Sequence, residues 1–303
     1  MTHIAFIGFG EAAQAMANGL AKEPSVTALS AFDIRFADAA QAPDLFAKAE
    51  ARKVKAHAAM QDAVAGADIV MSLVVGSAAV KVGEEAGKHL KPGQVFIDLN
   101  SIGPDAKKRV AEAMAKGGSA DFVEGAVMAR VPPYEHRVPI LLAGKTAERA
   151  AALLTKCGME IEAVGQEIGQ ACAVKMIRSI IVKGVEALLI ESLTAAEKAG
   201  VRERILDSIS HTFPGLDWRQ TATYYIGRTQ QHGARRVTEM KEAAATLESL
   251  GLQPILSTAI SETIGAAHAR FKTSALPFDR EYPELLAILA ADTDTDTAGN
   301  QAA

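Results

Sequence analysis

The sequence predicts an α/β fold: a doubly wound, mainly parallel sheet followed by an all-helical second domain. Two observations carry this expectation. From residue 3 to about residue 164, the β-rich runs "HIAFIG", "VTALSAFD", "ADIVMSLVV", "QVFIDLNS", "SADFVEGAV", "VPILLAG" and "MEIEAVG" alternate with alanine-rich helical stretches. Such alternation places parallel strands beneath crossover helices, and runs that are apolar almost throughout suit strands covered on both faces. After Gly165 the strand signal stops and helical patterns take over.

The second part opens with "IGQACAVKMIRSIIVKGVEALLIESLTAAEKAG", a helix of about 30 residues closed by Gly200 as its C-cap. Its apolar residues, among them Ile180, Ile181, Val185, Leu188, Leu189 and Ile190, exceed what one face needs. A helix apolar all round is a buried one, here covered by a second subunit, so a homodimer is expected. The segments "RERILDSISHTF", "DWRQTATYYIGRTQQHGARRVTEMKEAAATLESLG" and "ILSTAISETIGAAHARF" follow as helices, broken near Pro214, Gly233 and Pro254. The domains are expected at 1–166 and 167–286. Residues 287–303, ending in the small, acidic "ADTDTDTAGNQAA", are expected as a disordered tail.

Composition narrows the function classes. At 49% hydrophobic residues, 303 residues can bury a sizeable core, and a net charge of -4 gives no electrostatic reason for a nucleic-acid or anionic-membrane partner. No apolar run approaches the roughly 20 residues that span a bilayer. Cys157 and Cys172 have no metal-site spacing, and no secretion signal opens the chain, so no metal and a cytoplasmic location are expected.

In "GFGEAA" the positions Gly8, Gly10 and Ala13 follow the G-x-G-x-x-G/A pattern, with a strand before and a helix after. Gly8 permits a tight turn, Gly10 lets the backbone approach a diphosphate, and Ala13 lets helix and strand lie close. The helix N-terminus then presents unpaired N–H groups and partial positive charge to an anion. Asp33 ends the next strand, 20 residues after Ala13, where an acidic side chain accepts from the ribose hydroxyls of a dinucleotide. Asp33 favours NAD because it repels a 2′-phosphate, while Arg35 offers such a phosphate a guanidinium, so NADP stays open. Phe9, Glu11, Ala12, Val74, Val75 and Asn100 complete the expected cofactor set of a Rossmann-like domain.

With these residues the chain resembles the β-hydroxyacid dehydrogenases, the group of 3-hydroxyisobutyrate and 6-phosphogluconate dehydrogenases. The resemblance runs from residue 1 to about 285 through "GFGEAAQAMANGL", "IDLNSIGPD" and "GQACAVKMIRS". "EGAVMARVPPYEHRVPILLAG" and "HGARRVTEM" are similar to a bacterial branch of 6-phosphogluconate-dehydrogenase-like proteins. It implies an NAD(P)-dependent transfer of hydride between nicotinamide and a hydroxy acid or related acidic alcohol. Lys175 is then general acid and base, and Asn100, Ser101 and Ser179 orient the reacting oxygen. Arg178, three residues along the helix, is placed to depress the lysine's pKa.

The chain also departs from the family. Arg178 and Ser179 stand where asparagines are usual, and Met128, Ala129 and Arg130 replace the serine and glycines that grip a substrate carboxylate. Arg130, His136 and Arg137 either turn inward as a substitute grip or belong to a solvated loop stiffened by Pro132 and Pro133. Ser101 and Asp105 equally suit helix capping. In the helical part, His232, Arg235, Arg236 and Lys241 form either an anion site for the substrate or a solvated charged face, and Glu239 stands near the family's second-domain acidic position. Trp218, Tyr224 and Tyr225 are expected in a core or interface. Two other functions stay open: an imine reductase, a group that usually lacks a lysine at this position, and a non-catalytic NAD(P)-binding sensor.

Overall fold

The computed structural model describes residues 1–118, 120–274 and 277–291. The chain forms two compact units that divide between Lys175 and Met176, nine residues beyond the expected boundary at 166/167. The difference arises because the first residues of the long helix pack within the first unit.

The first unit alternates as its sequence pattern requires. It begins β1 (Thr2–Ile7), α1 (Glu11–Leu20), β2 (Val26–Phe32), α2 (Ala42–Glu50), β3 (Val54–His57), α3 (Met60–Val64) and β4 (Ile69–Ser72). It continues α4 (Ala79–His89), β5 (Val95–Asp98), α5 (Pro104–Ala115), β6 (Asp121–Val127), α6 (Val131–Tyr134), β7 (Ile140–Ala143), α7 (Ala147–Lys156) and β8 (Ile161–Gly165). Among the described residues these strands form one sheet of order β3-β2-β1-β4-β5-β6-β7-β8. The β6–β7 pair is antiparallel and the others are parallel. Strand order reverses between β1 and β4, the switch point at whose carboxyl edge open α/β sheets bind ligands. The central strands are apolar on both faces, and two buried clusters, one around Ile4, Phe6 and Ile97 and one around Ala5, Ile7 and Phe96, cover them.

Helix α8 (Gln170–Lys198) leads into the second unit, which adds α9 (Arg202–Thr212), α10 (Trp218–Ser249), α11 (Ile255–Thr273) and α12 (Tyr282–Ala290). Its core gathers Leu193, Leu206, Ile226, Met240, Ile264 and Leu286. The break expected near Gly233 is a kink in α10, where His232 leaves helical geometry. A Cβ on Gly233 would come within 2.4 Å of His268, and the His268 ring lies 3.1 Å from the Thr229 carbonyl beside the kink. Close approach of α11 thus accounts for the bend. Helix α12 corrects the expected tail: residues 287–290 are helical, with Leu285, Leu286 and Leu289 buried. Residues 292–303 lie outside the described residues. No helix among the described residues is long and apolar enough to cross a membrane.

Candidate active site

The first unit holds a cleft of about 530 Å³ at the β1/β4 switch point. Gly8, Gly10, Glu11, Ala12, Ala13, Asp33, Arg35, Val74, Val75, Asn100 and Ser101 line it. Gly8 sits at φ +89°, and a Cβ there would lie 2.4 Å from the Leu73 carbonyl oxygen, so this turn excludes every side chain. A Cβ on Gly10 would meet no atom within 4 Å, which leaves open space before the start of α1. That helix has no side-chain cap, so its first-turn N–H groups face the space. Ala13 is fully buried, as close packing of helix on sheet requires. The residues fit a dinucleotide diphosphate.

Phe9 corrects the expected set. Its ring is wholly buried and its N–H donates to Asp33 Oδ2 at 2.7 Å, so neither group faces the cleft. Asp33 is held on all sides: Oδ1 accepts from Arg35 N at 3.0 Å and Nε at 2.8 Å, and Oδ2 also accepts from Arg35 Nη2 at 2.7 Å. Burial pushes the Asp33 carboxyl up, but Arg35 and the two N–H groups outweigh it and hold the pKa below the usual value. Four donors fill the acceptor positions of the carboxylate. A ribose hydroxyl meets Asp33 only when Arg35 yields.

At the other end of the cleft, Lys175 Nζ donates to Ser101 Oγ at 3.3 Å. Ser101 does not cap α5, whose N-cap is Gly103 with no side-chain bond, and Asp105 pairs instead with Lys108 at 3.6 Å. Asn100 is buried, and its amide is a bracket: Nδ2 donates to Ser72 Oγ at 3.1 Å and Asp98 Oδ1 at 2.5 Å, while Oδ1 accepts from Val74 N at 2.7 Å. The carboxamide thus ties the β4 and β5 loops together.

With this geometry established, the comparisons with known proteins decide the family. Residues 3–165 match the NAD-binding domain of 6-phosphogluconate dehydrogenase. The chain belongs to this family. It is an NAD(P)-dependent oxidoreductase with a Rossmann-like first unit, and its cofactor is a nicotinamide dinucleotide. Residues 196–266 match a domain of unknown function, DUF1932. A conserved hypothetical protein from Sinorhizobium meliloti 1021 is similar at 54% identity, with 96% of each chain covered and a TM-score of 0.83. The chain is also similar to conserved protein MTH1747, described as structurally similar to 3-hydroxyacid dehydrogenases. That match has 29% identity and a TM-score of 0.73, covering 90% of this chain and 100% of the other. The 2-(hydroxymethyl)glutarate dehydrogenase of Eubacterium barkeri is 27% identical over 225 residues, 72% of this chain and 71% of its own length.

The other residues expected at the substrate end have varied surroundings. Met128 packs with the small cluster of Ala126, Ala143 and Ala171, while Ala129 and Arg130 are exposed at the start of α6. His136 and Arg137 do not form a substitute grip. His136 Nε2 lies 2.9 Å and Arg137 Nη2 3.6 Å from Glu23 Oε1, beyond the C-terminal end of α1. Gly10 lies at the opposite end of this ten-residue helix, about 15 Å away. The packing signal was Gly19, where a Cβ would overlap the His136 ring.

In the second unit, Ser179 is buried and its hydroxyl accepts from Lys183 Nζ at 3.3 Å. Lys183 pairs with Glu239 at 3.0 Å, and exposed Arg235 reaches the same carboxylate at 3.4 Å. Arg236 corrects the anion-site reading: it is buried, and its Nε donates to Glu186 Oε2 at 2.7 Å. Its Nη2 donates to the same oxygen, and Thr229 Oγ1 donates to Oε1. Arg178 and Lys241 are exposed, and His232 occupies the α10 kink. Trp218 and Tyr225 pack on the core as expected, whereas Tyr224 is exposed.

The cleft also has an apolar wall that no sequence motif marks: Ile7, Phe32, Leu73 and Leu99. Each is the last residue of a strand or the one after it, so the strand-end rule could have found them. Among the described residues, no cluster of three His, Cys, Asp or Glu side chains could hold a metal ion.

Proposed function

We propose that the chain interconverts a hydroxy acid, or a related acidic alcohol, with its carbonyl compound, and that Lys175 is the general acid and base. One observation carries this reading: the Lys175 ammonium lies 3.3 Å from the hydroxyl of Ser101, which itself lines the dinucleotide cleft. A bound oxidised nicotinamide supplies the acceptor for the hydride that leaves the substrate carbon. Lys175, as the neutral amine, takes the proton of the substrate hydroxyl as the carbonyl forms, and returns it in the reverse direction. Ser101 holds the lysine in place and offers a hydroxyl to the reacting oxygen. Asn100 positions the loop that carries Val74.

Lys175→Ala is expected to keep coenzyme affinity and to lose about 100-fold to 10,000-fold in turnover. The assay follows nicotinamide absorbance with a panel of hydroxy acids and titrates the coenzyme separately. Unchanged turnover sinks the assignment. Binding without turnover on any alcohol or cyclic imine would point to a sensor.

NAD is the preferred coenzyme in this reading, because Asp33 remains an anion at the ribose end of the cleft, and NADP is accommodated through Arg35. A homodimer belongs to the same reading. The long helix leaves Ile181 and Leu188 72% and 69% exposed, an apolar pair that a second copy of the chain would cover. Light scattering at micromolar concentration is expected to give twice the monomer mass of 31.8 kDa.

A further inference from the structure

Beneath the cleft lies a group of buried charges that the proposed chemistry does not use. Asp98, Lys107 and Glu124 have no exposed surface at all. Asp98, the last residue of β5, and Glu124, in the middle of β6, are register partners on adjacent parallel strands, so both carboxylates stand on one side of the sheet. Lys107 arrives from α5. Its ammonium donates to the Asp98 carbonyl at 2.6 Å and the Gly125 carbonyl at 3.2 Å, and lies 3.4 Å from Asp98 Oδ2. Asp98 Oδ1 accepts from both the backbone and side-chain nitrogens of Asn100. Glu124 Oε1 accepts from Gly169 N and Ala171 N, each at 2.8 Å, and so fastens the start of α8 one turn before Lys175. Cys172 lies against this group, and burial followed by the nearby Glu124 charge pushes its thiol pKa up, so it stays a neutral filler.

We infer that Lys107 is a positioning residue: it ties the end of β5 to the middle of β6 and, through Asp98, fixes the Asn100 carboxamide that holds Val74 at the wall of the dinucleotide cleft. Two carboxylates side by side out of water require a cation, and Lys107 is the cation that contacts Asp98. It also donates to two backbone carbonyls, which the apolar isostere Met cannot do. The path runs from Lys107 through its ion pair with Asp98 to the hydrogen bonds of Asn100 and ends at partly buried Val74, so loosening its first member is felt at the last. The effect on coenzyme binding needs only the cleft; an effect on turnover rests on the function proposed for Lys175.

The test compares wild type with Lys107→Met and with the double variant Asp98→Asn/Lys107→Met, which removes the carboxylate charge that Lys107 contacts and leaves Glu124 held by the Gly169 and Ala171 N–H groups. Melting temperature, NADH and NADPH fluorescence titrations, and amide exchange at Val74 are measured on each. The double variant is expected to fold, to bind both coenzymes about 10-fold or more weakly, and to exchange the Val74 amide faster by a similar factor, with β1 amides unaffected. A folded variant that melts lower but keeps wild-type coenzyme affinity and Val74 exchange overturns the proposal, since Lys107 would then serve stability alone. Failure of Lys175→Ala to reduce turnover leaves these coenzyme readouts untouched, so the two ideas fail separately.

Discussion

Each unit carries an arginine clamped on a carboxylate, and the two pairs differ in what water can reach. In the first unit, Arg35 bonds Asp33 at the rim of the cleft, with 38% of its side chain exposed. In the second, Arg236 bonds Glu186 in a core where the two side chains are 9% and 0% exposed. The chemistry is the same and the consequences are opposite. The partly exposed Arg35 guanidinium can leave its partner for a ligand, because Asp33 lines the open cleft and keeps the Phe9 and Arg35 backbone N–H donors. A buried one cannot, because the abandoned carboxylate would stand in a medium that does not solvate it. Local sequence shows an arginine in both places, and only packing shows which one is available.

The larger test breaks the buried pair. Arg236→Met leaves Glu186 buried, with Thr229 as its remaining hydrogen-bond donor, which is expected to cost about 3–5 kcal/mol in stability. Burial already raises the Glu186 carboxyl above its usual pKa, against the opposing pull of Arg236. With the folded pKa above the unfolded one, the folded state holds more protons, so this group's contribution to stability falls as pH rises through the interval between them. Loss of Arg236 raises the folded pKa further and extends that interval upward. The melting temperature of Arg236→Met should therefore drop more steeply from mildly acid to neutral pH than that of wild type, and Glu186→Gln/Arg236→Met should flatten the profile. A variant that melts like wild type but shows a raised KM for the hydroxy acid would return Arg236 to the anion site that its sequence context suggests.

The same contrast explains how far the sequence could be read. Features dictated by backbone geometry were legible: Gly8 and Gly10 at the turn, Ala13 under the helix, Asp33 at the strand end and the change to helices after Gly165 all stand where their spacing puts them. β3 was missed because "VKAH" is four residues long, half polar and at the sheet edge, too short for a period of two to show. Helix α12 was missed because its apolar residues were absorbed into the acidic segment that follows. Side chains whose role depends on a distant partner were not legible. Nothing near His136 announces Glu23, nothing near Arg236 announces Glu186, and nothing near Lys107 announces Asp98 and Gly125. Lys175 and Ser101 were each given a role by family resemblance, and their 3.3 Å separation is a tertiary fact that no local pattern contains.

The smaller test sharpens the other side of the contrast. Asp33 has all its acceptor positions filled, three of them by Arg35, so the ribose of NAD must compete with a guanidinium for the carboxylate. A 2′-phosphate instead meets that guanidinium as a partner, in charge-assisted and bidentate fashion. Arg35→Ala removes two of the four donors, since the residue's backbone N–H remains. It should leave the fold nearly unchanged, because the Phe9 and Arg35 backbone N–H groups stay on the carboxylate and the cleft beside it is open. Affinity for NADPH should fall while affinity for NADH holds or tightens, moving the ratio between them by about 10-fold, equivalent to about 1.4 kcal/mol. Fluorescence titration with each reduced coenzyme reads this directly. An equal loss for both would mean that Arg35 shapes the loop after β2 without meeting the ribose or its phosphate, and the rim pair would then resemble the buried one after all.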